Sequence, residues 1–210
     1  VPVDTTWTFA GGDGGLALRL SPDGSRVVMR VAVEGSIELW VKELDTGPQW
    51  RLTFDDALEW WPEWTPDGES VTYGTGPNRH VAIHTHRADG RGEPEMLVES
   101  DQSFGRGFWS PDGEWLILRS ASGVSGRSII AMRPGSDEAP QSLIPAEADE
   151  VYPALSPDGR WVAYSSNVSG EWEVYVRPFP DAASGIWQIS TRGGIAPRWS
   201  ADGSELFFEN

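Results

Sequence analysis

The chain has 210 residues, with 32 Asp and Glu against 16 Lys and Arg and a formal net charge of −16. That excess of acid argues against nucleic acid and anionic membrane surfaces as partners, because both require clustered cations. Cysteine is absent, which excludes disulfides and thiolate chemistry, and no apolar run approaches the roughly 20 residues of a membrane span. Val1 opens the sequence without a basic and apolar leader, so no signal peptide is expected. The length suits a single domain over 1–210 with a sizeable core.

In chain order, Val3–Phe9 is an extended, β-prone stretch with no turn signal of its own. Ser21-Pro22-Asp23-Gly24 then opens a pattern that returns as Thr65-Pro66-Asp67-Gly68, Ser110-Pro111-Asp112-Gly113, Ser156-Pro157-Asp158-Gly159 and Ser200-Ala201-Asp202-Gly203. The Asp-to-Asp steps are 67−23 = 44, 112−67 = 45, 158−112 = 46 and 202−158 = 44, a period that marks a repeat architecture. Each tetrapeptide is a turn: Pro presets φ, Asp bonds its own downstream backbone, and Gly supplies positive φ.

Between the turns the sequence predicts short strands rich in β-branched and aromatic residues. Trp61–Thr65 is an extended run before its turn. Second strands follow the turns at Arg26–Val31, Val71–Tyr73, Glu114–Arg119, Trp161–Ser165 and Glu205–Phe208. Third strands are expected at Ile37–Leu44, His80–Arg87, Ser128–Arg133 and Glu173–Phe179, and fourth strands at Trp50–Phe54, Glu95–Val98, Gln141–Ile144 and Trp187–Ser190. No amphipathic helical stretch of useful length occurs.

Four short strands per repeat of about 45 residues is the pattern of an all-β, β-propeller fold. Blades are expected over 16–54, 61–98, 106–145 and 151–190, with a partial fifth over 196–209. That fifth blade could be completed by 3–9 in a five-bladed ring. Alternatively the chain is a fragment of a six-bladed ring, which the abrupt stop at Phe207-Phe208-Glu209-Asn210 favours.

The repeat accounts for many of the 12 Trp. Trp64, Trp109 and Trp199 precede their turns where Leu20 and Leu155 stand in the other repeats, so this is a packing position between blades. Trp40 and Tyr175 are expected to share a third-strand position with His84 and Ala131.

The x-P-x-[WL]-[ST]-P-D-G-x-x-[VL]-x-[YF] pattern resembles the WD40-like Pro-Asp-Gly repeat of TolB-type propellers. The stretch from Ser156 through Tyr164-Ser165-Ser166-Asn167, Glu171 to Pro180, Trp187-Gln188-Ile189-Ser190 and Pro197-Arg198-Trp199-Ser200 is similar to the C-terminal propeller of transmembrane bacterial serine/threonine kinases. This resemblance implies an extracytoplasmic sensor or interaction module belonging to a larger protein. No kinase Gly-rich loop, His-Arg-Asp or Asp-Phe-Gly motif stands in the chain.

No residue set announces catalysis, and no cofactor or metal is expected. His80, His84 and His86 alternate on a predicted strand and could share a face. The alignment instead gives His84 an aromatic packing position and His86 the exposed basic position of Lys42, Arg133 and Arg177. The five turn Asp residues read as turn caps, not as calcium ligands. A Gly-x-Ser-x-Gly elbow is absent.

A partner, either a protein or a small ligand, is expected at the loop rim or the channel mouth. The loops there are Asp55–Trp61, Ser103–Phe108, Asp149–Tyr152 and Arg192–Ile195, which mix aromatic residues with charge. The residues the repeat does not dictate are Trp60, Trp61, Glu63, Arg106, Phe108, Tyr152 and Arg198, with Arg19 beside them. The expected function is a non-catalytic interaction or ligand-sensing module. The alternatives are a propeller-fold lyase or hydrolase, the accessory propeller of a peptidase, or a plain structural spacer.

Overall fold

In the computed structural model, the residues described are 18–33, 36–45, 47–54, 58–76, 81–100, 104–120, 127–144 and 148–210. Among them every element is a β-strand, and no helix is long and apolar enough to cross a membrane. The first sheet holds β1 (Leu18–Leu20), β2 (Arg26–Val33), β3 (Ser36–Glu43) and β4 (Gln49–Arg51). The second holds β5 (Glu59–Trp64), β6 (Ser70–Thr75), β7 (Val81–Arg87) and β8 (Glu95–Ser100). The third holds β9 (Phe104–Trp109), β10 (Leu116–Ser120), β11 (Ser128–Met132) and β12 (Gln141–Ser142). The fourth holds β13 (Glu150–Leu155), β14 (Trp161–Ser166), β15 (Glu173–Pro178) and β16 (Trp187–Gln188), and β17 (Ile195–Trp199) pairs with β18 (Leu206–Glu209). Strands run in sequence order within each sheet, so each sheet is an antiparallel meander, the expected blade. The Val3–Phe9 stretch lies outside the described residues.

The turn tetrapeptide repeats its bonding as well as its sequence. In the first, the Ser21 hydroxyl donates to Asp23, the Gly24 N–H donates to the Ser21 carbonyl at 2.9 Å, and the Arg26 N–H donates to the Ser21 hydroxyl at 2.9 Å. The Asp23 carboxylate also accepts the Ser25 N–H at 3.0 Å. The same set recurs around Thr65, Ser110, Ser156 and Ser200. Every one of these Asp carboxyls has its pKa held below the ordinary value, mainly because the hydroxyl two residues earlier donates to it; Asp202 falls to about 2. All five therefore act as turn caps.

The chain forms two compact units, Val1–Arg106 and Gly107–Asn210. In the first, Val28, Leu39, Val41 and Leu52 of the first sheet pack against Trp64, Val71, Tyr73 and Ala88 of the second. In the second, Ile117, Ile129 and Ile144 pack against Tyr164, Tyr175 and Phe179. The Trp/Leu position works as the repeat implies. Trp64 donates its indole N–H to the Arg19 carbonyl at 2.9 Å, and Trp199 donates to the Ala154 carbonyl at 3.1 Å. Each indole thus reaches the preceding sheet's first strand, and burying such a ring contributes roughly 2–3 kcal/mol.

Three details differ from the sequence reading. Met29 faces Trp40, Tyr73 faces His84, and Tyr164 faces Tyr175, but Leu118 faces Ile130. The shared third-strand position therefore holds Ile130, not Ala131, because the third repeat spaces its turn and third strand differently. His86 is buried at 5% exposure, and its Nε2–H donates to the Gly92 carbonyl at 3.1 Å, so it closes the β7–β8 turn rather than facing solvent. The described residues of the predicted loops at Asp55–Trp61, Ser103–Phe108 and Asp149–Tyr152 run into strand: β5 starts at Glu59, β9 at Phe104 and β13 at Glu150.

Candidate functional site: the first strands of the sheets

In β5 and β13 the reason the residues read as loop is a bulge. Across β5 and β6 the register steps from Trp60↔Gly74 to Glu63↔Thr72, so three steps on one strand meet two on the other. The same step occurs between Val151 and Ala154 in β13 and between Ile195 and Arg198 in β17. The bulge carries the only non-glycine positive φ angles among the described residues: Trp61 at 48°, Tyr152 at 53° and Ala196 at 55°. A proline follows each one, at Pro62, Pro153 and Pro197. Left-handed backbone at a residue with a Cβ costs on the order of 1–2 kcal/mol, and such strain gathers where a fold re-aims side chains. In the third sheet the equivalent residue is Arg106, followed by Gly107 instead of proline.

The first strands bring three of the expected residues together in the first unit. The Arg19 Nε lies 3.3 Å from Glu63 Oε2, and an Arg106 terminal guanidinium nitrogen lies 3.5 Å from the same oxygen. Arg19 also donates to the Leu18 carbonyl at 2.9 Å, which fixes its reach. The Glu63 and Arg19 side chains are 22% and 18% exposed, whereas Arg106 is 46% exposed. Burial pushes the Glu63 carboxyl above its ordinary value, and Arg106 and Arg19 oppose that push.

Higher on β5, the Trp60 indole N–H donates to the Gly76 carbonyl at 3.3 Å, and its ring lies 5.7 Å from the Trp61 ring at a 35° tilt. The Arg30 guanidinium sits 4.8 Å from the centre of the Trp60 ring, within cation–π range. Arg30 is 7% exposed and Glu59 is fully buried. Burial lowers the Arg30 pKa from its ordinary value, and the Glu59 charge resists that shift.

In the second unit Tyr152 is half exposed and Arg198 is exposed, while Phe108 packs against the core. Arg119 has a lowered value from burial first, then from Arg127, with Tyr152 acting in the opposite direction. Buried Glu150 accepts the Ser166 hydroxyl at 3.4 Å.

Sequence reasoning missed Arg30, Glu59, Arg119 and Glu150. A signal for them exists. Arg30 and Arg119 each follow their turn Asp by seven positions (30−23 = 7, 119−112 = 7), and Glu59 and Glu150 each precede a bulge residue by two (61−59 = 2, 152−150 = 2). These charges recur every second repeat, which single-repeat alignment hides.

Among the described residues no group of three or more His, Asp or Glu is arranged to hold a metal ion. His84 stacks on Tyr73 at 5.8 Å and His80 lies outside the described residues.

No family model matches the chain. It is 23% identical over 193 residues to the uncharacterised peptidase YuxL of Bacillus subtilis, covering 71% of this chain but 29% of YuxL. It is 25% identical over 223 aligned positions to the uncharacterised protein Atu1656 of Agrobacterium fabrum, covering 98% of this chain and 72% of that one. Among solved structures, a TolB candidate from Agrobacterium tumefaciens matches with TM-score 0.70 at 20% identity, covering 92% of this chain and 74% of that one. An oligogalacturonate lyase from Vibrio parahaemolyticus matches with TM-score 0.73 at 15% identity over 95% and 59% of the two chains. A prolyl endopeptidase matches with TM-score 0.72 at 17% identity over 92% and 31%. Identities this low speak for the fold alone, and on that level the chain shares the architecture of TolB-type and related β-propeller proteins.

Proposed function

We propose that this chain is a non-catalytic binding module that takes a protein or small ligand on the first strands of its sheets. The observation that carries the reading is the grouping of Arg19, Glu63 and Arg106 on successive first strands, with the Trp60–Trp61 pair farther along β5. Arginine and tryptophan are the residue types that dominate binding energy at interfaces. Positioning them on paired strands, with backbone strain held at the bulge, costs stability that a simple spacer has no reason to spend.

The reading extends to an extracytoplasmic location and attachment to a larger bacterial receptor or kinase. Its support is the resemblance of the C-terminal repeats to kinase-linked propellers. The accessory propeller of a peptidase is the second reading, favoured by the match to YuxL, of which the chain spans 29%. Sequencing the flanking gene separates the two: an apolar span with a kinase domain supports the first, and a hydrolase domain supports the second.

The binding reading itself is tested by selecting linear peptides from a random display library on the immobilised chain. A selected peptide should be weakened roughly tenfold or more by Trp60→Ala where it binds the first unit, or by Arg198→Ala where it binds the second, with the circular dichroism spectrum unchanged. If both variants bind like the parent chain, the first strands are not the binding surface.

A further inference from the structure

The first and last pairs of sheets place equivalent residues around the same inter-sheet groove and fill it differently. Trp64 and Trp199 each precede their turn Asp by three positions (67−64 = 3, 202−199 = 3), and Arg26 and Trp161 each follow theirs by three (26−23 = 3, 161−158 = 3). Trp50 faces Val41 in the first sheet as Trp187 faces Val176 in the fourth. Leu52 and Ile189 donate their N–H groups to the equivalent carbonyls of Leu39 and Val174, each at 2.8 Å.

In the first unit the groove is filled from within. The Arg26 guanidinium lies 4.9 Å from the centre of the Trp64 ring and donates to the Gly68 carbonyl at 2.7 Å. The Trp50 indole N–H donates to the Ala88 carbonyl at 2.9 Å, and Trp64 and Leu52 are buried. In the second unit the groove is a cavity of about 440 Å³ lined by Trp161, Val176, Trp187, Ile189, Trp199 and Leu206. Trp161 stands where Arg26 stands, and its ring meets the Trp187 ring edge-on at 5.5 Å. Among the described residues no guanidinium covers Trp199 and no acceptor takes the Trp187 indole N–H. Trp187 is half exposed, and Ile189 is 43% exposed where Leu52 is fully buried.

The rest of the lining is acidic. Asp158 and Asp202 line the same cavity. Each uses Oδ1 for its own turn: Asp158 accepts the Ser156 hydroxyl and the Arg160 N–H there, and Asp202 accepts the Ser200 hydroxyl with the N–H and hydroxyl of Ser204. Neither Oδ2 accepts a hydrogen bond among the described residues. The same donors hold both carboxyls below their ordinary values, so both are ionised at neutral pH. Gly203 also lines the cavity, and its turn is seated as the Gly68 turn is: a Cβ at Gly203 would meet the Pro157 ring at 3.4 Å, and one at Gly68 would meet the Pro22 ring at 3.6 Å. An uncovered indole face, two carboxylates and a turn carbonyl are the surroundings a guanidinium takes. A protein of net charge −16 draws such a cation in. The Trp187 N–H asks in addition for a carbonyl, which a peptide supplies.

We propose that this groove of the second unit binds an arginine of a basic peptide. Its guanidinium covers Trp199 beside the Asp158 and Asp202 carboxylates, as Arg26 covers Trp64, and a peptide carbonyl accepts the Trp187 N–H, as Ala88 accepts that of Trp50. The site goes beyond the first-strand surface and does not depend on it. The test uses the 210-residue chain and a fluorescein-labelled Gly-Ala-Arg-Ala-Gly amide, measured by anisotropy. It should bind roughly tenfold or more tightly than the citrulline peptide, which has the same shape without the charge, and a lysine peptide should keep only part of the preference. Affinity should fall several-fold between low and moderate salt.

Trp199→Leu puts at this position the residue found at Leu20 and Leu155, and it should weaken the arginine peptide roughly tenfold or more with the circular dichroism spectrum unchanged. Asp202→Asn keeps the turn acceptor but removes the charge, and should weaken it several-fold. Trp161→Arg gives the second unit the guanidinium that Arg26 gives the first; it should displace the peptide without lowering the melting temperature. Equal binding of the arginine and citrulline peptides, or unchanged binding by Trp199→Leu and Trp161→Arg, would overturn the site. Competition by N-acetyl-arginine amide at the peptide's own affinity would overturn the peptide as occupant in favour of a small guanidinium compound. Self-association of the chain in sedimentation, lost on Trp187→Ala, would give the groove to a second copy and overturn a separate partner. Absence of binding up to about 1 mM would overturn the proposal outright.

Discussion

The two units place the same residue types at equivalent positions and use them differently. In the first, Arg30 is sealed against solvent, lies over the Trp60 ring, and is balanced by the buried Glu59. In the second, Arg119 is only half-buried, Val151 stands where the first unit has Trp60, and Tyr152 and Arg127 are the groups whose charges reach it. Glu150 turns to the Ser166 hydroxyl. The repeat thus fixes where a buried charge can sit, while the residue one place along the strand decides what covers it. The first unit spends two tryptophans on that covering, and the same strand carries Glu63 and its arginine partners.

The sharpest way to break this comparison is to remove the acid from each unit. Glu59→Ala leaves Arg30 buried without its counter-charge and should cost about 3–5 kcal/mol in urea unfolding. Glu150→Ala gives up the bond from the Ser166 hydroxyl and should cost less, about 1–2 kcal/mol. Equal losses would mean that the two glutamates do the same work after all.

A smaller effect is expected at the inter-sheet indoles. Trp64→Phe removes the N–H donated to the Arg19 carbonyl from a buried ring, and Trp199→Phe removes the equivalent bond from a half-buried one. Thermal unfolding should show a loss of about 1–2 kcal/mol for the first and about 1 kcal/mol or less for the second.

The bulge separates the units in the opposite direction. Tyr152 is half exposed at φ 53°, so Tyr152→Gly relieves left-handed strain and should change stability by no more than about 1 kcal/mol, toward gain. Trp61→Gly relieves the same strain but loses the ring beside Trp60, so it should destabilise. A gain at Trp61 would show that its ring contributes nothing to folding.

The smallest effect is in acid. Asp202 has a folded value of about 2 against an ordinary 3.8, so its contribution is complete above 3.8 and disappears as pH falls toward 2. Glu63 has the opposite sign. Its folded value is raised, so protonation favours the fold, and that contribution is lost as pH rises through the folded value. Asp202→Asn should flatten the acid limb of the stability profile slightly, and Glu63→Gln should flatten the limb above the ordinary Glu range. A profile in which either variant steepens its limb would reverse the assigned sign.

Much of this was written in local sequence. The turn tetrapeptides, the four-strand meander and the inter-sheet role of Trp64 and Trp199 all follow from residues close together in the chain. The first strands did not. Trp60, Trp61 and Tyr152 read as loop residues because a bulge followed by Pro62 or Pro153 breaks the period-two alternation that identifies a strand. His86 read as exposed because its equivalents are charged, yet the Gly92 carbonyl accepts its Nε2–H and the ring is buried. Arg30 and Glu59 went unmarked, because the burial of a charge depends on groups from another sheet.

By itself, then, the sequence determined the repeat, its turns and the all-β architecture, since these depend on φ preferences and hydrogen bonds within a few residues. Only the tertiary structure decided that Arg19, Glu63 and Arg106 meet. They stand 44 and 43 positions apart (63−19 and 106−63), and their meeting depends on how the sheets pack. No local preference encodes that.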